Sequence, residues 1–271
     1  MLRLLLLQVW ASCLWLAHSE VVPSFDSCPQ FFYQNTPPDD ALLPENPAWI
    51  CQTLNDQPFF ATLYDKDKRI PVYSAYIYEP ANCTTKHSWT VEPQLIRENL
   101  SKNMQTVRTL KHQYHVSKQD IRDSQAVNRD YKDSGFDRGH LNPNGHHNSI
   151  DSRNATFTLT NIVPMNKTLN RIAWRNYEQQ TMGNKTKDCQ TTYVIVGAVP
   201  GDSSISDGRV NVPSHIWSGA CCTTDSNTVS AWAAIAENNQ VQNLTLGQLE
   251  DTLAQLYEME NVSLFHVDCP R

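Results

Sequence analysis

Apolar residues along this chain fall into three rhythms. The first is a single run: after Arg3, positions 4–16 are mostly apolar, and Ala17-His18-Ser19 follows. A basic start, a short apolar core and small residues before the break predict a secretory signal peptide over 1–19. The run is too short for a membrane span, which needs about 20 apolar residues. The second rhythm is alternation and short apolar blocks, which predict strands at 59–64, 70–78, 136–141, 156–163, 193–199, 210–217, 229–236 and 262–267. In the stretch 156–163, Phe157, Leu159 and Asn161 are expected on one face. The third is helical period. Leu246, Leu249, Leu253 and Leu256 line one face behind Thr245 and Gln248, which have capping-box spacing. Further helices are expected at 95–110, 118–128 and 169–182. Residues 20–58, rich in Pro and acids, predict an irregular N-terminal arm, leaving 59–271 as the main domain. Strands and helices mix without a βαβ rhythm, so the fold class is α+β.

Composition narrows this further. With 271 residues, 40% hydrophobic and 18% charged, the chain is an ordinary globular protein, not a coiled coil, collagen or acidic tail. The net charge of −6 hides an asymmetry. Residues 97–187 hold 15 Lys/Arg against 8 Asp/Glu, a net of +7. An acidic protein with a basic middle third suits a local polyanion site better than indiscriminate coating of nucleic acid. Seven Asn-x-Ser/Thr sequons, at Asn82, Asn99, Asn154, Asn166, Asn184, Asn243 and Asn261, fit an extracellular address.

Cysteine usage points the same way. Eight Cys become seven once the leader is removed: Cys28, Cys51, Cys83, Cys189, Cys221, Cys222 and Cys269. No CxxC pair occurs, so disulfides are expected rather than a zinc ribbon. Adjacent Cys221 and Cys222 are expected to bond to two different partners, and one of the seven is left over.

The candidate chemistry lies in Asp137-Arg138-Gly139-His140 and in the segment from Asn170 to Glu178. His140 accepts a proton near neutral pH. Arg138, two residues earlier on a strand, points to the same side and suits a phosphate oxygen. Asn170 offers a neutral oxygen to a hard cation, and Glu178, eight residues on, shares its helix face and can hold metal-bound water. A base, a cation site and an arginine together suit phosphodiester hydrolysis.

The DRGH sequence and the thirty-residue interval to Asn170, with Trp174 and Glu178 following, resemble the DNA/RNA non-specific endonucleases, a ββα-metal family. Residues 60–64, 69–76, 91–95, 213–217 and 231–235, with Cys221-Cys222, resemble its secreted endonuclease domain-containing 1 branch. The resemblance implies a ββα-metal core with a central mixed or antiparallel sheet flanked by helices. It implies His140 as general base, Asn170 as the one direct protein ligand of a single Mg²⁺ (or Mn²⁺), Glu178 orienting metal-bound water, and Arg138 near the phosphate or bracing the site. Asp137 and Asn161 become supporting residues, and the implied substrate is DNA, RNA or both.

The chain also departs from the family pattern. Ile172 replaces a common Gly and is expected to narrow the cleft or tilt the helix. Met182 stands where some members carry an arginine, and Lys86 and His87 are the nearest match to an arginine before Trp89. A glycan on Asn166 is expected to crowd the substrate. These departures favour a rival, a non-catalytic extracellular platform with the nuclease fold. A zinc hydrolase is a weaker third reading, opposed by the lack of a His-x-x-x-His pattern. His112 and His115 are expected on a solvated helix face, and His146 and His147 at the surface.

Overall fold

The computed structural model describes residues 20–82, 88–226 and 228–271. The leader expected at 1–19, and Cys83, Lys86 and His87, lie outside the described residues. In chain order the strands are β1 (Val21–Val22), β2 (Pro47–Leu54), β3 (Gln57–Asp65), β4 (Ile70–Ile77), β5 (Asp137–His140), β6 (Ile162–Met165), β7 (Thr191–Val199), β8 (Ser203–Ile205), β9 (Val210–Val212), β10 (His215–Thr223), β11 (Val229–Glu237) and β12 (Gln240–Leu244). Eight of them form one antiparallel sheet in the order β1-β2-β3-β4-β7-β10-β11-β12. β5 pairs with β6 in a small hairpin, and β8 with β9 in another.

Both faces of the large sheet are covered. The long helix (residues 169–185), the β5–β6 hairpin and the short helices Val107–Gln113, Lys118–Ser124 and Asn128–Tyr131 pack on one face around Leu141, Ile162, Trp174 and Tyr177. The N-terminal turns and the C-terminal helix (Leu246–Leu256) pack on the other, around Phe32, Trp217, Leu249 and Phe265. Side chains alternate along β10, so Cys222 faces the first layer and Cys221 the second. Cys222 therefore bonds to Cys189 and Cys221 to Cys269, while Cys28 joins Cys51. The two neighbours have different partners, as their spacing implied.

The C-terminal helix starts as expected, with Thr245 and Gln248 capping each other's main chain. Other expectations are corrected. The N-terminal arm is not wholly irregular, since it supplies β1 and the full-length β2. The helix expected over 95–110 is confined to Val107–Gln113, where Thr106 caps it through the Thr109 N–H. That expected over 118–128 stops at Ser124, and Gln125 is extended and buried. The strand expected over 156–163 is a tight turn at Leu159–Asn161 followed by β6. Pro213, which has no N–H for a ladder, divides the strand expected over 210–217 into β9 and β10. Residues 262–267 form no strand, because their main chain bonds side chains instead: Ser263 N–H to Asp39 and Leu264 N–H to Glu250. The Ser149-capped helix Ile150–Ala155 and β12 were not anticipated.

Candidate functional site

The hairpin sets the first side of the site. β5 pairs with β6 so that Asp137 faces Met165 and His140 faces Ile162. Gly139 is needed here: a Cβ would lie 2.6 Å from the Met165 Cβ. Arg138 and His140 share a face of β5, and Trp89 lies against both. The Arg138 guanidinium sits 4.4 Å from the indole centroid and the His140 ring 5.6 Å from it. Phe157 meets the imidazole edge-on at 4.9 Å. Two aromatic rings thus hold His140 in place.

Asn161 fixes the chain that follows. Its main-chain oxygen accepts from the Leu141 N–H, and its side chain accepts from the Asn142 N–H (3.0 Å) and Ser74 Oγ (2.9 Å). Its amide nitrogen donates to the carbonyls of Asn142 (2.9 Å) and Thr156 (3.0 Å). Fully buried, it locks the exit of β5 and touches no open space.

The long helix sets the other side. Asn166 Oδ1 opens it by accepting from the N–H groups of Thr168 and Leu169. Asn170 Nδ2 donates to Asp137 Oδ2 at 3.1 Å. A carboxylate only accepts, so the amide nitrogen of Asn170 must face Asp137 and its Oδ1 faces away. Asp137 also accepts two 2.7 Å bonds from Arg171, which hold its carboxyl below the usual carboxylate range. The helix is not regular: Trp174 N–H bonds to Leu169 O and Met182 N–H to Tyr177 O, each a wide five-residue turn. In a regular helix, residues eight apart are about 80° out of line. The wide turns wind less per residue and so bring Asn170 and Glu178 nearer one face.

Hairpin and helix enclose a cleft of about 620 Å³ whose walls include His140, Asn170, Glu178, Arg153 and Arg175. Burial pushes the Glu178 carboxyl up to about 8, against the pull of Arg175. His146 also reaches the cleft, but it and His147 are buried rather than superficial. Desolvation lowers them to about 4 and about 3, so both stay neutral. His146 Nε2 donates to the Glu178 carbonyl and Nδ1 accepts from Tyr76 Oη, each at 2.9 Å, so it pins the helix to the sheet.

Several expected residues are elsewhere. Arg138 does not line this cleft; it bonds Asn128 at 2.6 Å in a neighbouring groove shared with Arg129 and Lys132, and its guanidinium lies over Trp89, which also packs against His140. Ile172 is 59% exposed and off the cleft wall, so it does not narrow the cleft. Met182 is core, with the Trp232 indole N–H directed at its sulfur. Asn166 is exposed but off the wall, whereas the sequon residue Asn82 is on it. His112 and His115 are exposed.

Two cleft residues escaped the sequence reading. Arg153 stands on the unanticipated Ser149-capped helix and donates to the Ala81 carbonyl (2.8 Å) and to Asn144 Oδ1 (3.3 Å). Arg175 is one turn before Glu178, a spacing that could have been noticed on the predicted helix.

The donor set fits a hard, largely hydrated cation. It offers one outward amide oxygen from Asn170 and the Glu178 carboxyl on the same wall. Among the described residues, no three His, Cys, Asp or Glu are grouped to hold an ion by themselves.

Comparison with known proteins is consistent with this geometry. A family profile described as DNA/RNA non-specific endonuclease matches residues 38–270. Human Endonuclease domain-containing 1 protein is 35% identical over 204 residues, 73% of this chain and 39% of that protein. Its mouse counterpart is 33% identical over 205 residues, again 73% and 39%. The chain therefore spans about two fifths of the length of these relatives. Human mitochondrial Endonuclease G is 38% identical over 85 residues, 31% of this chain and 28% of that protein. A crystal structure of the EndoG/EndoGI complex matches with a TM-score of 0.51 at 18% identity, covering 80% of this chain and 86% of that one; it shows the shared fold.

Proposed function

Since the chain belongs to the DNA/RNA non-specific endonuclease family, we propose that it is a secreted, Mg²⁺- or Mn²⁺-dependent endonuclease that hydrolyses phosphodiester bonds of DNA, RNA or both without reading sequence. The observation that carries this reading is the meeting of His140, Asn170 and Glu178 on the walls of one cleft. His140, held between Trp89 and Phe157, takes the proton of the attacking water. Asn170, aimed by Asp137, and Glu178 through water would hold one cation. When bound, that ion neutralises charge developing on the phosphate. Arg153 and Arg175 add positive charge on the cleft walls where phosphate oxygens would sit.

Ile172 and Asn166, two features that favoured a non-catalytic platform, lie off the cleft wall. The leader pattern at 1–19, the seven sequons and the three disulfides support secretion. Among the described residues no helix is long and apolar enough to cross a membrane. The test is nicking of supercoiled plasmid with Mg²⁺ and with chelator. Conversion to open circles with Mg²⁺ alone is expected, and intact plasmid under both conditions refutes the proposal.

A further inference from the structure

Beneath the site hairpin, two glutamates are fully buried. Glu20 and Glu92 are both 0% exposed, and no salt bridge reaches either among the described residues. One oxygen of Glu92 accepts from the hydroxyls of Thr158 and Thr160 (both at 3 Å or closer), and one oxygen of Glu20 from the Thr53 N–H at 3.5 Å. The second oxygen of each, Glu20 Oε2 and Glu92 Oε2, is buried and meets no donor among the described residues, and the two carboxyls lie against each other closely enough to share a proton, so that burial and the Glu92 carboxyl hold Glu20 well above the usual carboxylate range. Two buried carboxyls with no cation are costly, because burial penalises each charge and each repels the other. Among the described residues the pair lacks a counter-charge.

The position of Glu20 supplies one. It is the residue directly after the expected leader, so its main-chain nitrogen would become the N-terminus of the processed chain. That nitrogen is already turned inward, donating to Gln94 Oε1 at 2.7 Å, two residues along from Glu92. The Glu20 carbonyl accepts from the Cys51 N–H, so the residue is docked in the sheet by its own main chain. We propose that leader removal after Ser19 places the α-ammonium of Glu20 as the buried counter-charge of the Glu20–Glu92 pair, so that processing completes the core beneath the site. This rests on the secretory reading of residues 1–19. In the step itself a leader peptidase adds water across the Ser19–Glu20 peptide bond. Ser19 leaves with a carboxylate, and Glu20 keeps an amine that takes a proton from solvent. An amide N–H with one hydrogen becomes an ammonium with three, enough for Gln94 and for the carboxyl oxygens.

The pair is wired to the site. Thr160 also accepts from Gln52 Nε2 at 2.9 Å, and the next residue, Asn161, locks the exit of the His140 strand. An uncompensated charge here would loosen the hairpin from below.

The experiment compares the secreted protein with a version carrying Gly-Ser-Gly-Ser between Ser19 and Glu20, each with and without Glu92→Gln, with N-termini read by Edman sequencing. The extended chain should melt lower by about 5 °C or more in the parent and by under about 2 °C in the Glu92→Gln background. Glu20→Gln serves as the background if Glu92→Gln is not secreted. An equal loss in both backgrounds means that the extension acts by crowding alone, and no loss in either means that the ammonium has no such role; each overturns the proposal. A parent chain that begins elsewhere than Glu20 overturns the leader reading, and the proposal with it.

Discussion

The two faces of the large sheet are built on different principles. On the site side, polar groups are buried and bonded to one another: Gln52 to Thr160, Ser74 to Asn161, His146 to Tyr76, His147 to Asn142. On the opposite side lie two of the three disulfides and an apolar cluster of Phe25, Phe32, Tyr73, Trp217 and Phe265. A buried polar network adds little net stability per bond, about 1 kcal/mol, but fixes direction closely. Apolar burial and loop closure stabilise without fixing any reactive atom. The site face, which has an apolar cluster of its own around Leu141, Ile162 and Trp174, is thus also held to shape by polar bonds, while the other face stabilises through apolar burial and two disulfides. Substitutions on the two faces should fail in different ways.

The largest expected effect is on the site side. Asn170→Ala should lower the nicking rate on the order of a hundredfold, with partial recovery at high Mg²⁺ and an unchanged melting temperature. A parallel fall in melting temperature would break the division of labour. On the other face, replacing Cys221 and Cys269 together with Ser opens a link spanning 48 residues. Loop-closure entropy sets the loss at about 4 kcal/mol. Urea titration should show that loss while the rate per folded molecule stays at the parent value.

A smaller effect separates the faces by pH. His146 and His147 stay neutral in the fold down to about 4 and about 3, but in the unfolded chain they take up protons from about 6.5. Over that window the unfolded state binds more protons, so their contribution to stability is present above about 6.5 and lost as pH falls. His147→Asn should flatten the fall in urea-unfolding free energy between pH 6.5 and 4.5, whereas substitutions in the opposite cluster should leave its slope alone. The smallest effect concerns glycans. Asn82 lines the cleft and Asn166 does not, so Thr84→Ala should raise duplex cleavage a few-fold while Thr168→Ala changes it little. The reverse ranking would place the substrate path over the helix start.

Much of this was legible because it is local. Alternation located β3, β4, β7 and β11, period and capping located the helix from Thr245, and spacing paired His140 with Asn170 and Glu178. What escaped depends on tertiary partners. β2 hides behind Pro47 and carries Gln52 and Thr53, polar residues buried only because Thr160 and the Cys51 carbonyl bond them. Residues 262–267 alternate like a strand, yet Asp39 and Glu250 claim their N–H groups. Arg138 was expected near the phosphate or bracing the site, but nothing in the local pattern showed that its guanidinium would lie over Trp89 and bond Asn128. Ile172 and Met182 were read as defects of the cleft, although one faces water and the other the core.

The central claim is that this cleft hydrolyses phosphodiesters with His140 as its base. The most direct measurement is the single-turnover nicking rate of supercoiled plasmid in Mg²⁺ by the parent and by His140→Ala, with circular dichroism melting on the same samples. The account predicts equal melting temperatures and a rate lower by about a hundredfold or more in the variant. A folded His140→Ala protein that nicks at the parent rate would contradict it.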